Sequence, residues 1–319
     1  MQTQATTTPS KNPFFSAGAE LDWIHDQLQA GQIAPALGEL FETLRARCVS
    51  EPEAWPHYAR ACLSHPVCRL LYQDPFTGRA FSKPRGYAGD AVMMDYIYSM
   101  GEAAQAMAEA TPLGRAIFDF FDIGSAAKAG VRHRRQLLAR FIDRSASRGG
   151  KRVLAIASGH LREVELSEAV RCGALEEFVA LDQDEASLAV VAHDYAHLGI
   201  RAVPGSVRQI LAGKQNPGTF DLVYAAGLFD YLNASAATAL TCRMFEMTRP
   251  GGLLFIPNFL ASVRDRGYME AVMDWHLIYR NHAEMQALAA ALPPHQVEDY
   301  EVFDDHEDAI TYLVVAKAK

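Results

Sequence analysis

Through the first 145 residues, apolar positions recur every three or four residues, the spacing that gives a helix one apolar stripe. The pattern runs through Leu21–Leu28, Ile33–Leu44, Ala54–Leu63 and Val92–Met100. A longer stretch from Gly124 to Ile142 adds a basic face of Arg132, His133, Arg134 and Arg135. Pro52, Pro66, Pro75 and the cluster Lys83-Pro-Arg-Gly-Tyr-Ala-Gly-Asp90 punctuate it, as helix-breaking residues do. No run of β-branched residues predicts a strand before residue 150.

At Arg148-Gly149-Gly150 the pattern changes to short apolar runs alternating with helical stretches. Lys151–Ala157, Glu177–Leu181, Arg201–Pro204, Phe220–Ala225 and Gly252–Pro257 read as strands. Arg162–Val170, Glu185–His197 and Ala234–Thr248 read as helices. Such alternation predicts βαβ units and a parallel sheet covered on both faces. Gln296–Phe303 and Ala309–Ala316 then flank the acidic turn Asp304-Asp-His-Glu-Asp308, which predicts a hairpin and at least one antiparallel strand. The expected fold class is α/β: a Rossmann-like doubly wound sheet with a C-terminal antiparallel hairpin strand, preceded by an α-helical N-terminal lid domain. The expected division is a flexible tail over 1–15, a helical lid or substrate region over 16–145, and the α/β domain over 146–319. Ligands of open α/β sheets sit at the carboxyl ends of the strands, where strand order reverses. The lid is expected to close there.

Composition narrows the classes. Of 319 residues, 50% are apolar and 21% charged, an ordinary globular balance. A net charge of -8 argues against general affinity for nucleic acid or anionic membrane, which need clustered Lys and Arg. The expected partner is a small-molecule substrate, and the sequence leaves an oligomer open. Cys48, Cys62, Cys68, Cys172 and Cys242 are scattered, odd in number and form no CxxC pair, which reads as free thiols in a reducing compartment. No apolar run approaches the ~20 residues needed to span a bilayer. Met1–Ser10 is polar and unlike a secretory signal, so the chain reads as cytoplasmic. The eleven histidines show no HxH or HExxH spacing, so no metal is expected.

Five stretches carry candidate chemistry. Val153–Glu163 is a buried strand, a tight turn at Gly159 and a helix start. Glycine there lets backbone approach a ligand, and a helix N-terminus offers unpaired N–H groups; a plain strand–helix turn is the alternative. Phe178-Val-Ala-Leu-Asp182 ends a strand on an acid, and a carboxylate there can accept both hydroxyls of a ribose. Val203-Pro-Gly-Ser-Val207 is a small-residue turn suited to an adenine. Phe220–Leu232 is a strand whose far end is small and then aromatic. Thr248–Ile256 is a turn feeding a fifth strand.

In this order, with the terminal hairpin, the five resemble the class I S-adenosylmethionine (SAM)-dependent methyltransferase fold. The resemblance implies SAM as co-substrate or substrate and no metal. It puts Ala157, Ser158, Gly159 and Glu163 beside the methionine moiety, Asp182 and Gln183 at the ribose, and Gly205, Ser206 and Val207 at the adenine. Ala225 and Gly227 would border the sulfonium. The sequence departs from the family where Ala157 and Leu161 replace glycines and where Ala155 and Ser206 replace acids. A narrower resemblance rests on Lys83–Asp90, Gly159-His-Leu-Arg-Glu163, Gly227-Leu-Phe-Asp-Tyr-Leu232 and Asp274-Trp-His-Leu-Ile-Tyr-Arg280. These are similar to a bacterial family of extracellular-factor methyltransferases, named for 3-hydroxypalmitic acid methyl ester. Some relatives cyclise SAM to azetidine-2-carboxylate and methylthioadenosine.

Candidates for catalysis are His160, Tyr87, Asp230, Tyr231 and His276. Candidates for substrate binding are Arg85, Tyr279, Arg280 and Asn258. Each has a plainer reading: a surface ion pair for Arg85, core packing for Tyr87, a structural contact for His160. Asp90 reads as a helix cap. Trp275 with Tyr279, and His276 with Arg280, are four apart and would share helix faces. Arg162 and Glu163 either bind the methionine end or are exposed. Three functions remain open: methyl transfer to a small or lipid-like acceptor such as a carboxylate, cyclisation of SAM with release of methylthioadenosine, and SAM binding without catalysis.

Overall fold

All seven runs read as extended form strands, and the largest difference is β5, which begins at Thr248 rather than Gly252. The computed structural model describes residues 13–319, with side chains from residue 18 onward. Of the tail expected over 1–15, residues 1–12 lie outside the described residues, and Pro13 already opens the first helix.

Among the described residues, nine helices precede the first strand: α1 (Pro13–Gln29), α2 (Ile33–Ser50), α3 (Trp55–Ser64), α4 (Val67–Leu71), α5 (Pro75–Ser82), α6 (Ala91–Tyr98), α7 (Glu102–Glu109), α8 (Pro112–Gly124) and α9 (Ala126–Ser147). Side-chain caps mark three starts. Asp74 accepts from the Phe76 and Thr77 N–H groups at α5, Asp90 from Met93 at α6, and Ser125 from Lys128 at α9. Each satisfies an N–H that the first helical turn leaves without a backbone partner.

The strands are β1 (Arg152–Ile156), β2 (Glu177–Asp182), β3 (Ile200–Pro204), β4 (Phe220–Tyr224), β5 (Thr248–Phe259), β6 (Val297–Asp304) and β7 (Ile310–Lys317). Between and after them come α10 (Glu168–Arg171), α11 (Glu185–Tyr195), α12 (Val207–Leu211), α13 (Ala234–Glu246), α14 (Arg266–Ala271) and α15 (His282–Ala290). The sheet order is β3-β2-β1-β4-β5-β7-β6. The first five strands are parallel, β7 is antiparallel to β5, and β6 is antiparallel to β7. The chain winds outward from β1 to β3 and then crosses to β4, so the order reverses between β1 and β4. Leu154, Ile156, Val179, Leu181, Val223 and Leu254 are buried in one core, as expected where helices cover both faces.

The chain packs as two units. One is helical and takes the described residues up to Gly89, Gly101–Gly124 and Asp265–His276. In it Phe41 stacks on Tyr268 at 4.6 Å and the Trp55 indole donates to Glu270 at 2.6 Å. The other takes Asp90–Met100, Ser125–Arg264 and Leu277–Lys319. Thus α6 and α9 belong with the sheet they precede, while α14, which follows β5, belongs with the helices.

Two stretches differ from the periodicity. Arg162–Val170 is a 3-10 turn over Arg162–Leu166 followed by α10. Leu161 enters that turn in a left-handed conformation, and Ser167 caps a fresh start with its hydroxyl on the Val170 N–H. Asp274–Arg280 is not helical. Its backbone N–H groups bond outside the segment: Trp275 to the Met269 carbonyl, Ile278 to Asp230 and Arg280 to Phe259. Trp275 and Tyr279, like His276 and Arg280, therefore share no helix face.

Candidate functional site

After β1 the chain turns through Ala157-Ser-Gly-His-Leu161. Ala157, Gly159 and Leu161 all have left-handed φ, at 51°, 54° and 55°. Glycine adopts this freely, whereas alanine or leucine does so at roughly 1–2 kcal/mol. The residues that replace glycine thus hold torsions that glycine favours, and the loop keeps its tight path. At 159 a side chain would be disfavoured twice, by the torsion and because a Cβ would crowd the Ala91 Cβ at 3.2 Å.

The end of β2 brings Asp182 to this loop. Its Oδ2 accepts from the Gly159 N–H at 2.8 Å, and its Oδ1 from the Asp184 N–H at 2.8 Å. A carboxylate oxygen has a second lone pair, so both can still accept. The Asp182 carbonyl takes the Gly205 N–H at 2.9 Å, and the Leu181 carbonyl takes that of Ser158 at 3.2 Å. Ser158 Oγ is buried with no hydrogen-bond partner among the described residues. A Cβ on Gly205 would press on the Gln215 side chain at 3.1 Å and on Leu181 at 3.2 Å. Ser206 caps α12 in a reciprocal box: its hydroxyl accepts from the Gln209 N–H, and the Gln209 side-chain Oε1 accepts from the Ser206 N–H. Val207 opens that helix, and Gln183 is exposed. Hydrogen bonds therefore join Ser158, Gly159, Asp182 and Gly205 at the carboxyl ends of β1 to β3.

His160 faces inward from the loop. Its Nδ1 lies 2.8 Å from Asp95 Oδ2, and Arg162 donates to the same carboxylate from Nε at 2.8 Å and Nη2 at 3.1 Å. Arg162 Nη1 reaches Asp194 at 2.7 Å and the Tyr195 hydroxyl at 2.9 Å. Burial pushes the Asp95 carboxyl upward, but the His160 and Arg162 hydrogen bonds outweigh it and hold it below its ordinary value. Arg162 is therefore neither exposed nor open to a ligand carboxylate; it anchors a buried ion cluster. Glu163 is buried as well and accepts from the Tyr224 hydroxyl at 2.6 Å. Burial raises its pKa.

At the end of β4, Ala225 is fully buried and Gly227 half-buried. Asp230 is buried, with Oδ1 on the Phe259 N–H at 2.7 Å. Burial pushes its carboxyl up to about 6, although the Phe259 N–H, Arg134 and Arg280 pull it down. Tyr231 is partly exposed. Arg280 and Asn258, expected on the substrate, are committed elsewhere. Arg280 donates to the Phe229 and Leu232 carbonyls and to Asn258 Oδ1, and Asn258 Nδ2 donates to the Phe259 and Ile278 carbonyls. They strap the 277–281 segment to β5, and Tyr279 lies half-buried within it.

The other candidates sit in the helical unit. Arg85 is half-buried and Tyr87 exposed, on the loop between α5 and α6. Lys83 of that loop pairs with Asp274, whose other oxygen is 3.2 Å from His276 Nε2; His276 is exposed. Sequence reasoning did not single out Asp95 or, beyond its basic face, Arg134. Their signal was a charged residue on the apolar side of a predicted helix. Among the described residues no group of three or more His, Cys, Asp or Glu is arranged to hold a metal, and no helix is long and apolar enough to cross a membrane.

No protein-family model matches the chain, and no curated protein does. Solved structures do. N-methyltransferase NodS from Bradyrhizobium japonicum, in complex with S-adenosylhomocysteine, is 15% identical with a TM-score of 0.43, over 59% of this chain and 87% of that one. DesVI of Streptomyces venezuelae is 15% identical with a TM-score of 0.44, over 64% and 98%. A "possible exported protein" from Bordetella parapertussis is 15% identical with a TM-score of 0.59, over 97% of this chain and 100% of that one. This last likeness spans both chains, and at that identity it is one of fold.

Proposed function

We propose that the chain is a SAM-dependent methyltransferase acting on a small or lipid-like acceptor. One observation carries the reading: Asp182, at the carboxyl end of β2, grips the Gly159 N–H of the loop after β1 and keeps a lone pair on each oxygen. That is the arrangement a ribose diol needs, beside the reversal of strand order. The orphaned Ser158 hydroxyl and the side-chain-free turn at Gly205 support the same ligand. SAM brings a methyl group already activated on its sulfonium.

The chain's own residues then position and exclude water. Asp182 would hold the ribose hydroxyls, the 157–161 backbone the methionine end, and the 225–228 backbone the edge of the acceptor site. A carboxylate acceptor needs no base. For a hydroxyl or amine, the candidate proton acceptors are His160, held through Nδ1 by Asp95, and Asp230, whose carboxyl titrates at about 6.

Asp182→Ala is expected to weaken SAM binding roughly tenfold or more, the usual scale for losing charge-assisted hydrogen bonds. Calorimetry giving wild-type affinity would remove the ribose assignment. Mass spectrometry of reactions with and without candidate acceptors decides the chemistry. S-adenosylhomocysteine formed only with acceptor supports methyl transfer. Methylthioadenosine formed from SAM alone would replace it with cyclisation, and binding without turnover would leave a binding protein. Because Ala157 and Leu161 hold left-handed torsions, the loop lends cyclisation no separate support.

A further inference from the structure

Arg134 is a buried cation with no partner carboxylate among the described residues. It lies on α9, is 5% exposed, and belongs to the same unit as the sheet. Its guanidinium lies 3.6–4.0 Å from the position a Cβ would take on Gly227, in the turn after β4. Nη2 meets the Met94 sulfur at 3.7 Å, and the half-buried Tyr98 feels the guanidinium charge. Neither neighbour carries a negative charge. Asp230 and Glu163 feel its field, but among the described residues no carboxylate comes within the 4.0 Å of an ion pair. Arg135 and Arg162, on or beside the same helix, do find carboxylates, at 2.8 Å in each case. A guanidinium out of water is costly unless an anion joins it, and its planar fork suits a carboxylate in two parallel hydrogen bonds.

We infer that Arg134 is the carboxylate-binding residue of the site, receiving its anion from the ligand beside the Gly227 turn. The inference rests on the proposed methyltransferase reading and narrows it to a ligand that carries a carboxylate. Two sources fit: the amino-acid end of SAM, and a carboxylic acid acceptor.

Calorimetry on the full chain separates them, using S-adenosylhomocysteine, methylthioadenosine (which lacks the amino-acid arm) and octanoate. The proteins are wild type, Arg134→Met and Arg134→Lys, the last keeping the charge in case Arg134→Met does not fold. If the anion is the cofactor's, Arg134→Met binds S-adenosylhomocysteine about tenfold or more weakly, Arg134→Lys falls between, and methylthioadenosine binds all three alike. If it is the acceptor's, both nucleosides bind alike, and octanoate binds wild type loaded with S-adenosylhomocysteine but not loaded Arg134→Met. The inference is overturned if the variants bind all three probes as wild type does, or lose both nucleosides equally, which would make Arg134 structural. Wild type that binds neither nucleoside sinks the methyltransferase reading instead. Octanoate on the unloaded proteins then decides for Arg134, with equal affinity in wild type and variant counting against it.

Discussion

A left-handed alanine stores strain that its glycine neighbour at 159 does not. At Ala157 the torsion costs roughly 1–2 kcal/mol, and a glycine there would lose about 0.4–1 kcal/mol by loosening the unfolded chain. Ala157→Gly is therefore expected to leave stability level or raise it by up to about 1 kcal/mol. A lower melting midpoint would show that the alanine methyl packs better than its torsion suggests. The same arithmetic fails for Leu161, which is 1% exposed, because its side chain is core. Asp95 is the opposite case. Removing it takes the carboxylate from buried His160 and from one side of Arg162, which keeps Asp194, and Asp95→Ala should cost on the order of 3 kcal/mol in urea unfolding. Since its folded pKa lies below the unfolded 3.8, its stabilisation is present above that value and is lost as pH falls through the folded one.

The elements show which regions were legible in the sequence. Strands with continuous apolar runs, such as β1 and β4, and long helices, such as α2 and α9, announced themselves by period. The short helices α4, α5, α7 and α12, of five to eight residues, offer too few turns for a period to register. The i, i+4 spacing in Trp275–Arg280 was real, but bonds to the Asp230 and Phe259 carbonyls overrode it. Asp182 could be placed from its position at a strand end. The Asp95–Arg162 pair could not, since 67 residues separate its members. The turn after β4 yields a pH prediction. Asp230 is raised from 3.8 to about 6, so the folded state holds its proton more tightly than the unfolded state does. That stabilisation is complete below about pH 4 and is lost as pH rises through 6. Asp230→Asn keeps an acceptor for the Phe259 N–H without the charge. Its stability relative to wild type should improve between pH 4 and 6.5, by on the order of 3 kcal/mol, and level off above. A flat difference across that range would count against a buried, titrating Asp230.

At the scale of the whole molecule, protection should follow the sheet. β1 and β4 have strands on both sides and helices over their faces, and Leu154, Leu222 and Val223 are fully buried. In hydrogen exchange, peptides over 152–156 and 220–224 should be the last to open, and those over β6, whose residues are largely exposed, among the first. If β6 outlasted β1, the centre of the sheet would not be the most stable part of the structure.

The strand order has one more consequence, for synthesis on the ribosome. β7 is made after the other six strands, yet it lies inside the sheet, between β5 and β6. Until residues 310–317 emerge, β5 shows a bare edge of N–H and C=O groups, and β6 has no strand to join. An open apolar edge invites pairing with other nascent chains. Pairing of β7 with β5 covers that edge, and the same strand brings β6 into the sheet.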